Sequence, residues 1–190
     1  MLSQCKKPSG QFSRFLDTGM NYWHSGLTRL GLGFIDITTD IVALDIGCGG
    51  GKAVKRLAGI ATNGKVVGID YSPDPVEIAR KNNRALINEG RVEIIQEAVS
   101  SMRFSGGAFG LITAFESHYF LPDFSNDQKE VHRVTKQNGQ LLIVGAVYIK
   151  SKKYDRRNQR FVDAIGMRYL NVEEFKGILE GVGFSEFDAL

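Results

Sequence analysis

The sequence predicts an α/β chain: a doubly wound, mostly parallel sheet with helices on both faces. Three observations predict it. Short apolar runs alternate with amphipathic stretches. The runs are apolar at consecutive positions, as strands buried on both faces are. Each of the first runs ends in a turn signal and is followed by helical spacing. At 190 residues, with net charge +3 and 43% hydrophobic against 24% charged residues, the composition is that of one well-cored globular domain over residues 1–190. A two-domain reading would need a linker, and the four prolines mark none.

The elements follow in order. Gln11 to Leu32 places Phe12, Phe15, Leu16, Trp23, Leu27 and Leu30 at roughly helical intervals, and is read as a helical lid within residues 1–38, ahead of a core over 39–190. Ile41 to Ile46 is a first strand, followed by Gly47, Gly49, Gly50 and Gly51 and then by Val54, Leu57 and Ala58 at helical spacing. Lys65 to Asp70 is a second strand. Pro73 to Glu89 reads as one helix, with proline at its start and a stop at Gly90. Val92 to Gln96, Phe109 to Phe115 and Gln140 to Tyr148 are further strands, the last preceded by a helix around Gln128 to Val134 and a turn at Asn138-Gly139. Asn171, with Glu174 three residues on, opens a closing helix that stops at Gly181 and Gly183, and a short terminal strand is expected after it.

Composition also excludes functions. The longest mainly apolar stretch, Leu141 to Ile149, is far short of the ~20 residues of a membrane span, and Met1 to Phe12 has no apolar run, so neither membrane insertion nor secretion is expected. Cys5 and Cys48 make no disulfide framework and no zinc-ligand spacing, which fits a reducing cytoplasm and no metal site. Six basic residues from Lys150 to Arg160 crowd a run that contains Asp155 as its one acid. Such a run suits a solvated face, a gate for an anionic substrate or an RNA contact, and the last normally needs a wider basic surface.

The stretch Asp45-Ile46-Gly47-Cys48-Gly49-Gly50-Gly51 carries the chemistry. Glycine lets a ligand approach the main chain, and the following helix start offers amide donors. A phosphate-binding GxxxxGK[ST] loop is rejected, because Ile46 stands at its first glycine and Ala53 at its hydroxyl. The dinucleotide pattern GxGxxG fails at Lys52, and Asp45 would repel a pyrophosphate. What remains is DxGxGxG, with Asp70 ending the second strand where a carboxylate can accept both hydroxyls of a ribose; an acid at the glycine loop suits a ligand with a cationic amine.

At these residues the chain resembles the class I S-adenosylmethionine-dependent methyltransferases, of the small-molecule branch of quinone-biosynthesis type or the unassigned members around it. VALDIGCGGGK, VVGIDYSP, FGLITAFESHYF, EVHRVTKQNGQLLIV and VEEFKGILEGVGF look like that family's successive blocks, over about residues 41 to 186. The resemblance implies a Rossmann-like fold, S-adenosylmethionine as cofactor and S-adenosylhomocysteine as product. It implies that Asp45 holds the methionine amino group directly or through water, that the backbone of Gly47, Cys48 and Gly49 passes under the ligand, that Asp70 takes the ribose and that Tyr71 packs on the adenine. Where the family often carries an acid for the adenine amino group, this chain has Ala98, with Glu97 one place early. Either Glu97 substitutes or the amide of Val99 and packing hold the base; a one-residue slip at a strand end turns the side chain to the other face and favours the second.

The segment after the fourth strand, Phe115 to Phe120, should face the methyl group. It lacks the Asn/Asp-Pro-Pro-aromatic grip of enzymes that methylate DNA bases, so DNA is excluded and a small-molecule acceptor is expected. Alignment can contribute about 7 to 11 kcal/mol and a general base a factor of about 10² to 10⁴, so a base is optional. His118 is the first candidate for one and Glu116 the second; the plainer reading is that His118 only hydrogen-bonds a neighbouring loop while Tyr119 and Phe120 plug the core. Tyr22, His24 and Tyr119 are candidate substrate contacts, with Trp23 read as core. The family usually continues to a seventh, antiparallel strand that is not found here, so the expectation is either a truncated form of the chain or a second copy of it completing the sheet edge. The rival functions are a cofactor-binding module without turnover, and an RNA methyltransferase resting on the basic run alone.

Overall fold

A computed structural model of the chain describes residues 26–121, 123–145 and 170–189. Strands β1 (Val42–Ile46), β2 (Lys65–Asp70), β3 (Val92–Gln96), β4 (Phe109–Phe115) and β5 (Thr135–Val144) form one sheet in the order β3-β2-β1-β4-β5. All four neighbouring pairs are parallel. The order reverses between β1 and β4, and in such sheets a ligand settles beyond the carboxyl ends of the strands at that point.

Residues 26–32 are helical (α1). The other helices are α2 (Lys52–Ile60), α3 (Pro73–Asn82), α4 (Arg84–Asn88), α5 (Phe124–Val134) and α6 (Val172–Val182). Side chains alternate across each strand, so Ala43 and Val66 enter one core with Val54, Leu57 and Ala58 of α2 and Val76 and Ala79 of α3. Leu44, Ile46, Val67 and Ile69 enter a second core with Val131 and Val134 of α5. Burial on both faces is why the strand sequences are continuously apolar, and each fully buried Val, Leu or Ile contributes roughly 1.5–3 kcal/mol. α1 sits against the carboxyl ends of β4 and β5: a Cβ on Gly31 would lie 2.5 Å from Cγ2 of Val144 and 3.4 Å from Cε1 of Phe115.

Three expectations are corrected. The single helix over Pro73 to Glu89 is two, because the backbone bends at Asn83 (φ −112°, ψ 14°), whose buried side chain turns inward onto backbone carbonyls. β5 starts at Thr135, directly after α5, and not at Gln140. Its register on β4 slips between Phe109↔Thr135 and Leu111↔Gln140, and the Asn138-Gly139 turn, with Asn138 at φ 61°, is absorbed as a bulge inside the strand. Residues 184–189 form no strand; Phe184 packs on the second core instead, its ring 5.1 Å from that of His132. The closing helix begins as its spacing predicts: Asn171 Oδ1 accepts the Glu174 N–H, and Glu174 Oε2 accepts the Asn171 N–H, both at 2.8 Å. The proposed lid before residue 26 and the basic run lie outside the described residues.

Candidate functional site

The glycine loop joins β1 to α2 at the switch point. Its start is fixed by close packing: Gly47 has φ 66°, and a Cβ on it would come 2.4 Å from Cβ of Ser117, whose hydroxyl donates to the Ile46 carbonyl at 2.7 Å. Gly49 is different. It too has positive φ, at 51°, but among the described residues nothing lies within 4 Å of where its Cβ would be, which leaves open space beside the main chain there. The Cys48 side chain is buried in the first core, where burial and then the charges of Asp45 and Asp70 raise its thiol pKa. That thiol is inert, and Cys48 serves the loop through its backbone: its N–H donates to Ile69 O and its carbonyl accepts from Gly51 N–H, each at 2.9 Å.

The two acids at the strand ends stand in different surroundings. Asp70 Oδ2 accepts the Gly49 N–H at 3.1 Å and Oδ1 accepts the Ser72 N–H at 2.9 Å, so one carboxylate ties the glycine loop to the start of α3. Asp45 is 2% exposed and faces Thr113 of β4, its register partner, whose hydroxyl donates to Oδ1 at 2.7 Å. Burial raises the Asp45 pKa to about 7; the Thr113 hydrogen bond opposes this rise and the neighbouring charge of Asp70 adds to it. A cation placed beside Asp45 would restore its charge.

The residues beyond β2 and β3 continue the same carboxyl edge of the sheet. Tyr71, the residue after the acid that ends β2, is 44% exposed. Glu97 Oε1 accepts from both the backbone N–H and Nε of Arg103, at 2.9 and 3.1 Å, so its side chain is tied to the loop that follows. Ala98 is exposed, and Val99 packs in the second core at the head of a short 3₁₀ turn (Val99–Ser101). The open glycine main chain, the acid at the end of β2, the exposed ring beside it and the buried acid at the end of β1 together fit S-adenosylmethionine.

Beyond β4 the site is made by packing. Phe115 is half-buried against the first core. Glu116 holds φ 56°, a conformation rare for a residue with a side chain, and its N–H donates to Val144 O at 2.8 Å. The next turn, His118–Phe120, buries His118 and Tyr119 at 4% and 3% exposure. The imidazole lies 3.8 Å from the Tyr119 ring and 5.3 Å from that of Phe175 on α6, and the Tyr119 hydroxyl donates to Glu116 Oε1 at 3.5 Å. Burial lowers the His118 pKa to about 4, and its Nδ1 has no hydrogen-bond partner among the described residues. Tyr22 and His24 lie outside the described residues. Thr113, Ser117, Asn82 and Asn83 escaped the sequence reading, and the Asn82-Asn83 pair was the one visible signal: two poor helix formers inside a helical pattern.

Comparisons with known proteins bear on the family and the fold. The model of the methyltransferase domain matches residues 44–143. A sterol 4-C-methyltransferase of Caenorhabditis elegans is 26% identical over 125 residues, covering 66% of this chain and 36% of that protein. A demethylmenaquinone methyltransferase of Lactococcus lactis is 28% identical over 107 residues, covering 56% and 42%. The chain thus spans less than half the length of these curated relatives. The crystal structure of the YcgJ protein from Bacillus subtilis superposes with TM-score 0.72 at 22% identity, over 84% of this chain and 68% of that one, and shares the fold. With more than half of its residues matched by the family model, this chain belongs to the methyltransferase-domain family, in its class I, S-adenosylmethionine-dependent form.

Proposed function

We propose that this chain transfers a methyl group from S-adenosylmethionine to a small, largely apolar acceptor, and that it works as one domain in the cytoplasm. One observation carries the reading: two carboxylates, Asp45 and Asp70, flank an open glycine main chain at the point where strand order reverses. The acceptor class is taken from the relatives, which are named for a sterol and for demethylmenaquinone. The compartment suits a free, buried Cys48.

When bound, S-adenosylmethionine supplies an activated methyl. Asp45 offers its carboxylate to the cationic amine and Asp70 to the ribose hydroxyls, while Tyr71 covers the base and Val99 meets its edge. Orientation does most of the work, since it can contribute about 7 to 11 kcal/mol. His118, kept neutral by its surroundings, is a weak base, so a proton lost by the methyl acceptor would pass to Glu116 or to water.

Calorimetry with S-adenosylmethionine and S-adenosylhomocysteine tests the reading. We expect micromolar binding by the wild type and about a ten- to hundredfold loss in Asp70→Ala, the size of a hydrogen bond to a charged group. Because Asp70 also holds the loop, melting is followed in parallel. A folded wild-type chain that binds neither compound refutes the cofactor site. Binding without transfer of a labelled methyl to quinone-type or sterol-type acceptors favours the module without turnover.

A further inference from the structure

Asp70 poses a problem for any nucleoside ligand. The carboxylate that would take the ribose is also the group that holds the Gly49 N–H, so ligand binding draws on a contact that shapes the loop. A second hold exists on the opposite side. Asn82 Nδ2 donates to Gly50 O at 2.9 Å, and Asn83 Nδ2 donates to Gly51 O at 3.0 Å and to Ala79 O at 2.9 Å. The neighbours are carbonyls, so only the amide nitrogens can face them. Asn83 is 1% exposed, and among the described residues its Oδ1 has no partner; the side chain keeps this orientation at the cost of an unmet buried acceptor. The backbone bend between α3 and α4 is the local change that delivers it.

We propose that Asn82 and Asn83 are positioning residues for the nucleoside ligand. By holding the carbonyls of Gly50 and Gly51 toward α3, they keep the loop shaped and turned to the ligand when Asp70 engages the ribose. This role rests on the cofactor reading above. In a trans peptide the N–H points opposite to its C=O, so a grip on the Gly51 carbonyl also orients the first amide of α2, at the helix start that a ligand would approach. Asn82 is exposed and its bond is made at the surface, so its removal separates positioning from folding.

The test is Asn82→Ala, with affinity for S-adenosylhomocysteine read by calorimetry, the melting temperature by circular dichroism and amide hydrogen exchange over residues 47–52 in the free protein. We expect affinity about three- to tenfold weaker, the range of one ordinary hydrogen bond, with melting within about 2 °C of wild type and faster exchange confined to the loop. Asn82→Asp, which sets an acceptor against the Gly50 carbonyl, should lose more. If the wild type binds and Asn82→Ala binds equally well, the positioning role is wrong and the cofactor reading stands. If the wild type does not bind, both fall. An affinity loss that only tracks a fall in melting temperature, with exchange raised throughout the chain, assigns the pair a structural role alone.

Discussion

The two halves of the sheet's carboxyl edge are built by different forces. Beyond β1 and β2 the glycine loop is held by hydrogen bonds: Asp70 accepts the Gly49 N–H, Ser117 donates to Ile46 at the start of the loop, and Asn82 and Asn83 donate to Gly50 and Gly51. Beyond β4 the turn at His118 and Tyr119 is held by ring packing that needs Phe175, far along the chain on α6. Each half contains a titratable group whose neutral form burial favours, and burial shifts the two pKa values in opposite directions. It pushes the acid Asp45 up to about 7 and the base His118 down to about 4. The comparison teaches that one desolvated edge can store two opposed responses to pH.

Those responses give the largest expected effects. For Asp45, whose ordinary value is 3.8, the unfolded chain has lost the proton between about pH 4 and 7 while the folded chain keeps it. Stability from this group is therefore full below pH 4 and lost as pH rises through 7, a change of about 4 kcal/mol. Asp45→Asn keeps an acceptor for Thr113 and never ionises. Urea unfolding should find it about 3–4 kcal/mol more stable than wild type at pH 8 and about equal at pH 4, with S-adenosylmethionine binding about ten- to hundredfold weaker for want of the charge. Equal stability at pH 8 would mean that the folded chain carries Asp45 ionised at no cost, and would remove the buried acid from the argument.

His118 runs the other way. Its ordinary value is 6.5, so between 6.5 and about 4 the unfolded chain takes up a proton that the folded chain refuses, and stability is lost as pH falls. At pH 5 this amounts to about 2 kcal/mol. Over the shared window the slopes from Asp45 and His118 cancel, and each substitution uncovers the other. His118→Phe, which keeps a ring against Phe175, should make stability fall steadily as pH rises from 4.5 to 6.5, whereas Asp45→Asn should make it rise. Parallel profiles for wild type and His118→Phe would show that the imidazole is protonated in the fold, and hence less buried than its contacts imply.

The same contrast explains what the sequence revealed. β2, β3 and β4 are read at their observed bounds because their limits are local: apolar runs closed by Asp70, Gln96 and Phe115, with turn residues beyond. The glycine loop and Asp70 are legible for the same reason, since glycine spacing and an acid at a strand end lie close together in the chain. Thr113 was invisible as the partner of Asp45, because that contact depends on the register of β1 on β4. The break at Asn83 was missed because helical periodicity runs through it, and the side chain that causes the bend finds its partner on another element. His118 could be placed on the right loop but not inside an aromatic cluster, since Phe175 arrives by tertiary packing.

The smallest effect sharpens the border between the two halves. Glu97 ends the ligand edge on the β3 side, and the sequence offers it as a substitute acid for the adenine amino group. In the fold its Oε1 is already used twice by Arg103, and its Oε2 is buried without a partner. Removing the side chain therefore gives up two hydrogen bonds, one of them from a largely exposed Arg103 side chain, and also relieves one desolvated oxygen. These terms offset, so Glu97→Ala should change stability by less than about 1 kcal/mol. Affinity for S-adenosylhomocysteine should stay within about threefold of wild type, because an amide and packing at Val99 suffice for the base. A tenfold loss with unchanged melting would move adenine recognition onto Glu97, and would require Arg103 to release the carboxylate when ligand binds.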